Sequence, residues 1–250
     1  MALYFVGLGL GNEKDITLNG LEAVKKCDIL YLENYTSVLN VPKQKLEELY
    51  GKKVVLARRT LVEADDNKII KNAKSSNVAF LVAGDSLSAT THIDLWMRAK
   101  KEGVKCFVIH NASILTAVGV TGLQLYKFGK TTSIPLANEN VETPYDVLKA
   151  NLSLGMHTLF LLDLNPEENQ FMSVGDALRY LLKVELKRNE KLLSEKTVCV
   201  GCARVGSETQ SIKAGTVKDV LKHNFGKSVQ CLIIPGKMHF MEEEALQMWK

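Results

Sequence analysis

Residues 4–11 read Tyr-Phe-Val-Gly-Leu-Gly-Leu-Gly, and this stretch decides the fold class. Three residues with a strong strand preference run directly into alternating glycines, the pattern of a buried strand that ends in a tight turn. Four more runs of the same build follow at Asp28–Leu32, Lys53–Ala57, Val78–Ala83 and Lys105–Ile109. They are almost continuously apolar instead of alternating, which predicts strands buried on both faces. Helical patterns fill the gaps at Thr17–Lys26, Lys43–Tyr50, Asp65–Ser75 and Thr91–Lys101. Asp15 or Thr17 is placed to cap the first helix, and Gly51 and Gly103 follow the ends of two others. Strands alternating with helices at this spacing predict βαβ units, hence a parallel sheet flanked by helices.

The pattern changes near Asn111. Strands are predicted at Thr131–Ile134, His157–Leu162, Thr197–Cys202 and Gln230–Ile234. Helices are predicted at Ser113–Gly119, Pro144–Leu154, Val174–Arg188 and Met241–Trp249, with Leu164–Phe171 as an exposed loop. The expected architecture is therefore α/β in two domains, residues 1–112 and 113–250. The whole chain has 250 residues, 46% hydrophobic and 24% charged, a length that suits two such domains.

Net charge is +4, and the longest basic clusters, such as Lys25-Lys26 and Lys100-Lys101, are pairs. Solvated helix faces account for these better than a nucleic-acid or membrane surface. The start, Met1–Leu10, lacks a basic region and is too short for a membrane span, so a cytoplasmic protein with reduced thiols is expected. Cys199 and Cys202 have the Cys-x-x-Cys spacing but lie inside a strand pattern with no second pair, which favours core packing over zinc. His92, His110, His157, His223 and His239 show no ligand spacing, so no metal is expected.

Ligands of open parallel sheets bind beyond the carboxyl ends of the strands. Three such ends carry small or polar residues: Gly7–Gly11, Gly84–His92 and His110–Ile114. The glycines invite comparison with a dinucleotide fingerprint, with Glu33 about 20 residues further on as the ribose acid. The third glycine comes one residue early, however, and the helix does not open on the glycines. A turn of purely structural role and a nicotinamide oxidoreductase both stay open on these residues alone, as does a domain that only binds a partner. Thr90 and Thr91 are explained by a helix cap. Ser113 lacks the Gly-x-Ser-x-Gly context of a nucleophile elbow.

Across its length the chain resembles the diphthine synthases, a branch of the tetrapyrrole-methylase-like (class III) S-adenosylmethionine methyltransferases. The resemblance rests on collinear segments: Leu3–Thr17, Tyr31–Ser37, Gly84–His92, His110–Gly119, Leu123–Gly129, Gly155–Asp163, Ala203–Gly206 and Ile233–Glu242. It implies an N-terminal parallel sheet and a C-terminal mixed sheet, a homodimer, and S-adenosylmethionine in a cleft between the domains. The implied substrate is translation elongation factor 2, at a histidine carrying a 3-amino-3-carboxypropyl group; the implied cofactor product is S-adenosylhomocysteine. Carried over position by position, the cofactor contacts are Leu10, Asp85, Ser88, Ser113, Ile114, Leu162, Val205 and Gln230. No catalytic residue is implied, and Tyr35 is a candidate for cation–π contact with a methylated amine. Ser86 and Ser88 depart from the family's usual Pro and Gly, and Gln230 stands where relatives usually have His. A methylase of the same fold acting on a small molecule such as a tetrapyrrole is the alternative.

Overall fold

The computed structural model describes residues 1–63, 68–226 and 229–250. The chain divides into two compact units, Met1–Leu115 and Thr116–Lys250.

The first unit carries β1 (Ala2–Gly7), α1 (Leu18–Lys26), β2 (Ile29–Glu33), α2 (Lys43–Tyr50), β3 (Val54–Ala57), α3 (Arg59–Glu63), α4 (Lys68–Ser75), β4 (Asn77–Val82), α5 (Ile93–Lys101) and β5 (Lys105–Ile109). Its five strands form a parallel sheet in the order β3-β2-β4-β1-β5. Two cores sandwich that sheet. Leu3, Phe5 and Phe80 face α4 and α5 through Ile69, Ile70, Ala73, Leu95 and Ala99. Val6, Leu8 and Leu81 face α1 and α2 through Ala23, Val24 and Leu46. The rings of Phe5 and Phe80 meet edge to face at 5.9 Å. Burial on both faces holds for the inner strands; the edge strands expose Val55, Leu56 and Phe107, because each has a neighbour on one side only. Thr17 is the cap of α1, its side chain accepting the Gly20 N–H, and Asp15 instead accepts the Gly11 N–H at 2.6 Å. The predicted helix Asp65–Ser75 is seen from Lys68; its first three residues lie outside the described residues.

The short α6 (Ile114–Ala117) leads into the second unit, with β6 (Thr132–Ile134), α7 (Thr143–Ser153), β7 (Thr158–Leu162), β8 (Leu164–Asn165), β9 (Gln170–Phe171), α8 (Val174–Arg188), β10 (Val198–Ala203), β11 (Ser211–Thr216), α9 (Val217–Val220), β12 (Gln230–Ile234) and α10 (Phe240–Leu246). Its sheet has the order β11-β10-β12-β7-β6, with β6 and β7 parallel and the other neighbours antiparallel. The mixed sheet therefore agrees with the family resemblance. Two readings need correction. Leu164–Phe171 is not a plain loop: β8 and β9 pair antiparallel around a turn in which the Asn165 side chain accepts the Glu168 N–H. Strand β11 was missed because an edge strand with polar residues and a glycine needs no apolar run.

Cys199 and Cys202 lie fully buried and reduced in β10, with Cys231 opposite Cys202. Burial pushes the Cys199 thiol up to about 12, so it is inert packing at neutral pH. The second unit also buries an acid. Glu242 on α10 accepts the N–H of Gln124 at 2.9 Å and that of His239 at 2.8 Å. It also pairs with the Lys127 ammonium and accepts from His157 Nε2 at 2.9 Å.

Candidate functional site

After β1 the chain crosses to the α1 face, and after β4 it crosses to the α5 face. These two strands are neighbours, so their carboxyl ends flank the crevice where connections diverge, the usual ligand position of an open α/β sheet. The loops that leave β1, β4 and β5 are locked together there. Gly9 and Gly84 exchange backbone hydrogen bonds at 3.2 and 2.7 Å. A Cβ at Gly7 would sit 2.7 Å from the Gly84 oxygen and 2.8 Å from Asn111 Cβ, so the close approach of three strand ends demands glycine. Asn111 donates from Nδ2 to the carbonyls of Gly7 and Asp15, both at 3.0 Å.

Asp85 is the anchor of this edge. One carboxylate oxygen accepts the Leu87 N–H at 3.0 Å and the Ser88 hydroxyl at 2.9 Å. The other accepts the Asn111 N–H at 3.0 Å and bonds His110 Nδ1 at 2.8 Å. Burial opposes its ionisation, but these four partners outweigh that and hold the carboxyl below the usual aspartate range. The charge is thus spent on fixing two loops against each other. Sequence reasoning found Asp85 and missed Asn111's clamp; a polar residue directly after a parallel strand was the available signal.

The other sequence candidates fall into place around it. Ser88 donates to Asp85, and Ser113 is buried with its hydroxyl accepting the Leu115 N–H at 3.2 Å. Leu10 and Ile114 are half-buried apolar residues on the first and third loops. At Gly84, φ is +79°, and an added Cβ would meet only Ala112 O and Leu10 Cδ2, each at 3.8 Å. Those are ordinary contacts, so it is the left-handed φ that favours glycine there. His92, and not Thr90 or Thr91, occupies the cap position of α5, without a side-chain cap bond. The loop also holds Ala89 at φ 56°, a left-handed conformation that costs a β-carbon residue about 1–2 kcal/mol. Ala89→Gly should therefore raise stability by about 0.5–1 kcal/mol after the larger chain entropy of glycine is counted, as measured by urea denaturation.

In the second unit, Leu162 ends β7, Val205 follows β10, and Gln230 opens the antiparallel β12. The register pairs Ala203 with Gln230 and Leu161 with Cys231, so these three residues gather at one edge of the mixed sheet. Gln230 is buried and both ends of its amide are engaged. Oε1 accepts the Val174 N–H at 2.8 Å, and Nε2 donates to the Gly226 carbonyl at 2.9 Å. It serves the first N–H of α8 and ties the Gly226 carbonyl to the start of β12. Gln230→Leu should cost about 1–3 kcal/mol by leaving a buried N–H unsatisfied, read as a lower urea midpoint.

Glu33, the imagined ribose acid, turns back on its own chain to accept the N–H groups of Tyr35 at 2.9 Å and Thr36 at 2.5 Å. Among the described residues no His/Cys/Asp/Glu group could hold a metal ion, and no helix is long and apolar enough to cross a membrane.

Residues 2–221 match the family model of the tetrapyrrole (corrin/porphyrin) methylases. A diphthine synthase of Methanococcus maripaludis is 46% identical, the alignment covering 98% of this chain and 97% of the relative. A "Probable diphthine methyl ester synthase" of Arabidopsis thaliana is 47% identical, covering 99% and 98%. A crystal structure of diphthine synthase superposes with a TM-score of 0.91 at 39% identity, covering 100% of this chain and 96% of the other.

Proposed function

The chain belongs to the tetrapyrrole methylase family, and from that premise we propose that it transfers methyl groups from S-adenosylmethionine to the modified histidine of elongation factor 2. The product is diphthine or its methyl ester, in diphthamide biosynthesis. The observation that carries this reading is near full-length identity of 46–47% to relatives named diphthine synthase or diphthine methyl ester synthase. The proposed cofactor contacts are Leu10, Asp85, Ser88, Ser113 and Ile114 in the first unit and Leu162, Val205 and Gln230 in the second. The homodimer and the cytoplasmic setting belong to the same proposal.

When bound, S-adenosylmethionine supplies an electrophilic methyl with its own leaving group. The protein has to fix the loops that hold it, align the acceptor and exclude water. Asp85 does the first of these by tying the β4 and β5 loops together. The acceptor amine, with a reference pKa of about 7.7–8.0, has a useful neutral fraction at physiological pH and needs no strong base. Incubation with S-adenosylmethionine and elongation factor 2 bearing the unmethylated aminocarboxypropyl-histidine tests the reading. Successive methyl increments in the intact mass of the factor are expected. An unchanged mass, with methylation of a tetrapyrrole instead, would replace the substrate assignment.

A further inference from the structure

We propose that Glu33, Tyr35, Thr36, Ser86 and His92, at the carboxyl ends of β2 and β4, form the pocket that receives the amino group of the methyl acceptor. The inference rests on the reading given above for the reaction and assigns residues to the acceptor.

Buried polar side-chain atoms normally find partners. Among the described residues eight have none, and five of those eight belong to this one place: Glu33 Oε2, Tyr35 OH, Thr36 Oγ1, Ser86 Oγ and His92 Nε2. Glu33, Tyr35, Ser86 and His92 are each more than nine-tenths buried. β2 and β4 are hydrogen-bonded neighbours, so their ends lie side by side. Ser86 follows Asp85 directly, which puts this cluster next to the loop edge assigned to the cofactor.

Two of the unpartnered atoms, His92 Nε2 and Glu33 Oε2, are acceptors, and the other three are hydroxyl oxygens. His92 Nδ1 lies 3.2 Å from the Ser86 carbonyl and so carries the ring proton. Burial lowers the imidazole pKa to about 4, leaving Nε2 as a bare acceptor at neutral pH. Glu33 Oε1 is satisfied by two backbone N–H groups while Oε2 has no hydrogen-bond partner. Burial raises the carboxyl above its ordinary value, against the Thr36 and Tyr35 N–H groups, the nearby Thr36 hydroxyl and the Arg59 charge that lower it. The three hydroxyls can accept as well as donate, so a ligand bearing N–H donors can satisfy the cluster as a whole. The Tyr35 and His92 rings meet edge to face at 6.1 Å and add aromatic surface suited to an amine as it gains methyl groups. Tyr35 also borders a cavity of about 290 Å³ whose walls include Glu63, Thr91, Asp94 and Arg98. The Arg59 guanidinium sits 5.5 Å from the Tyr35 ring centre and pairs with Glu63 at 3.7 Å, so a carboxylate on the same ligand would take the place of Glu63. An acceptor carrying an amine and a carboxylate on one carbon matches both halves.

Glu33→Gln keeps an oxygen for the two backbone N–H groups and replaces the free one with a donor; Tyr35→Phe and Ser86→Ala delete unpartnered hydroxyls. The measurements are the KM for aminocarboxypropyl-bearing elongation factor 2, calorimetric affinity for S-adenosylhomocysteine, melting temperature, and NMR binding of 2-amino-4-(imidazol-2-yl)butanoate. We expect Glu33→Gln and Tyr35→Phe to raise KM and weaken the butanoate roughly tenfold, the size of one charge-assisted hydrogen bond. S-adenosylhomocysteine affinity should stay within about twofold, which separates an acceptor contact from damage to the cofactor loops. Tyr35→Phe and Ser86→Ala should melt no lower than the unaltered protein, because a buried unpaired hydroxyl has been removed. Unchanged KM and butanoate binding in all three variants would overturn the pocket, as would a drop in melting temperature with acceptor affinity intact. If the unaltered protein leaves the factor unmethylated, the reaction assignment fails, and butanoate binding alone then decides the pocket: no binding overturns it.

Discussion

Asp85→Ala is expected to weaken S-adenosylhomocysteine binding by about 30-fold or more while the protein stays folded. The carboxylate accepts from Leu87, Ser88, Asn111 and His110, and these partners sit on two different loops. Removing it frees the β4 loop from the β5 loop and strands the half-buried Asn111 N–H. Charge-assisted hydrogen bonds contribute about 1.5–3 kcal/mol each, so losing loop registration by one such bond's worth gives that factor. The strands remain paired and both cores are untouched, so the urea midpoint should fall far less than affinity does. Asp85→Asn should recover part of the binding, since its oxygen can still serve Leu87 and Ser88 but its amide opposes the Asn111 N–H. Calorimetric titration of the three proteins provides the comparison, and equal affinities would remove Asp85 from any role at the cofactor edge.

Glu242→Ala carries the largest expected loss of stability, about 3–5 kcal/mol, the usual result of removing one member of a buried charge pair. Lys127 and the N–H groups of Gln124 and His239 would lose their acceptor together. The network also dictates a pH dependence. Burial works against the Glu242 charge, but His239, Lys127, Gln124 and His157 overcome it and lower the carboxyl to about 2. Its stabilisation is therefore complete above the unfolded value of 4.5 and is lost as pH falls from there toward about 2. His157 acts in the same direction at higher pH. Its Nδ1 accepts the Gly236 N–H at 2.9 Å, leaving no room for a second proton, and burial holds its pKa below 6.5. The unfolded chain takes up that proton first, so stability declines as pH drops below about 6.5. Urea midpoints should stay level from pH 8 to about pH 6.5 and fall from there to pH 3 in the native protein. In Glu242→Ala the decline below pH 4.5 should be shallower.

The sequence made the parallel sheet legible because its strands are apolar runs separated by helical patterns of regular length. Lys43–Tyr50, Lys105–Ile109 and Val174–Arg188 are observed with the boundaries expected of them. What escaped was structure stabilised by neighbours instead of by pattern. Strand β11 draws its order from pairing with β10, and β8 with β9 are two-residue strands too short for any period. One-turn helices α3 and α9 are likewise below the length at which an apolar stripe can register. Within the candidate site, Asp85 could be singled out by its place after Gly84, but its four partners come from separated loops. That the Gln230 amide joins Val174 and Gly226 is a tertiary fact with no local signal. The unpartnered atoms of Glu33, Tyr35 and His92 could be recognised only once burial was known.

The acid at position 242 also imposes an order on biosynthesis. Gln124 must wait for a partner 118 residues later, and His157 for one 85 residues later. All five strands of the first sheet, by contrast, have been made once residue 109 has left the ribosome. The first unit can therefore collapse while the second is still being translated, and the second keeps Lys127 and His157 uncovered until translation reaches α10. Contacts of such long sequence separation close slowly. During synthesis the vulnerable species is thus a chain with one finished half and one open half, the state in which chaperones would meet it.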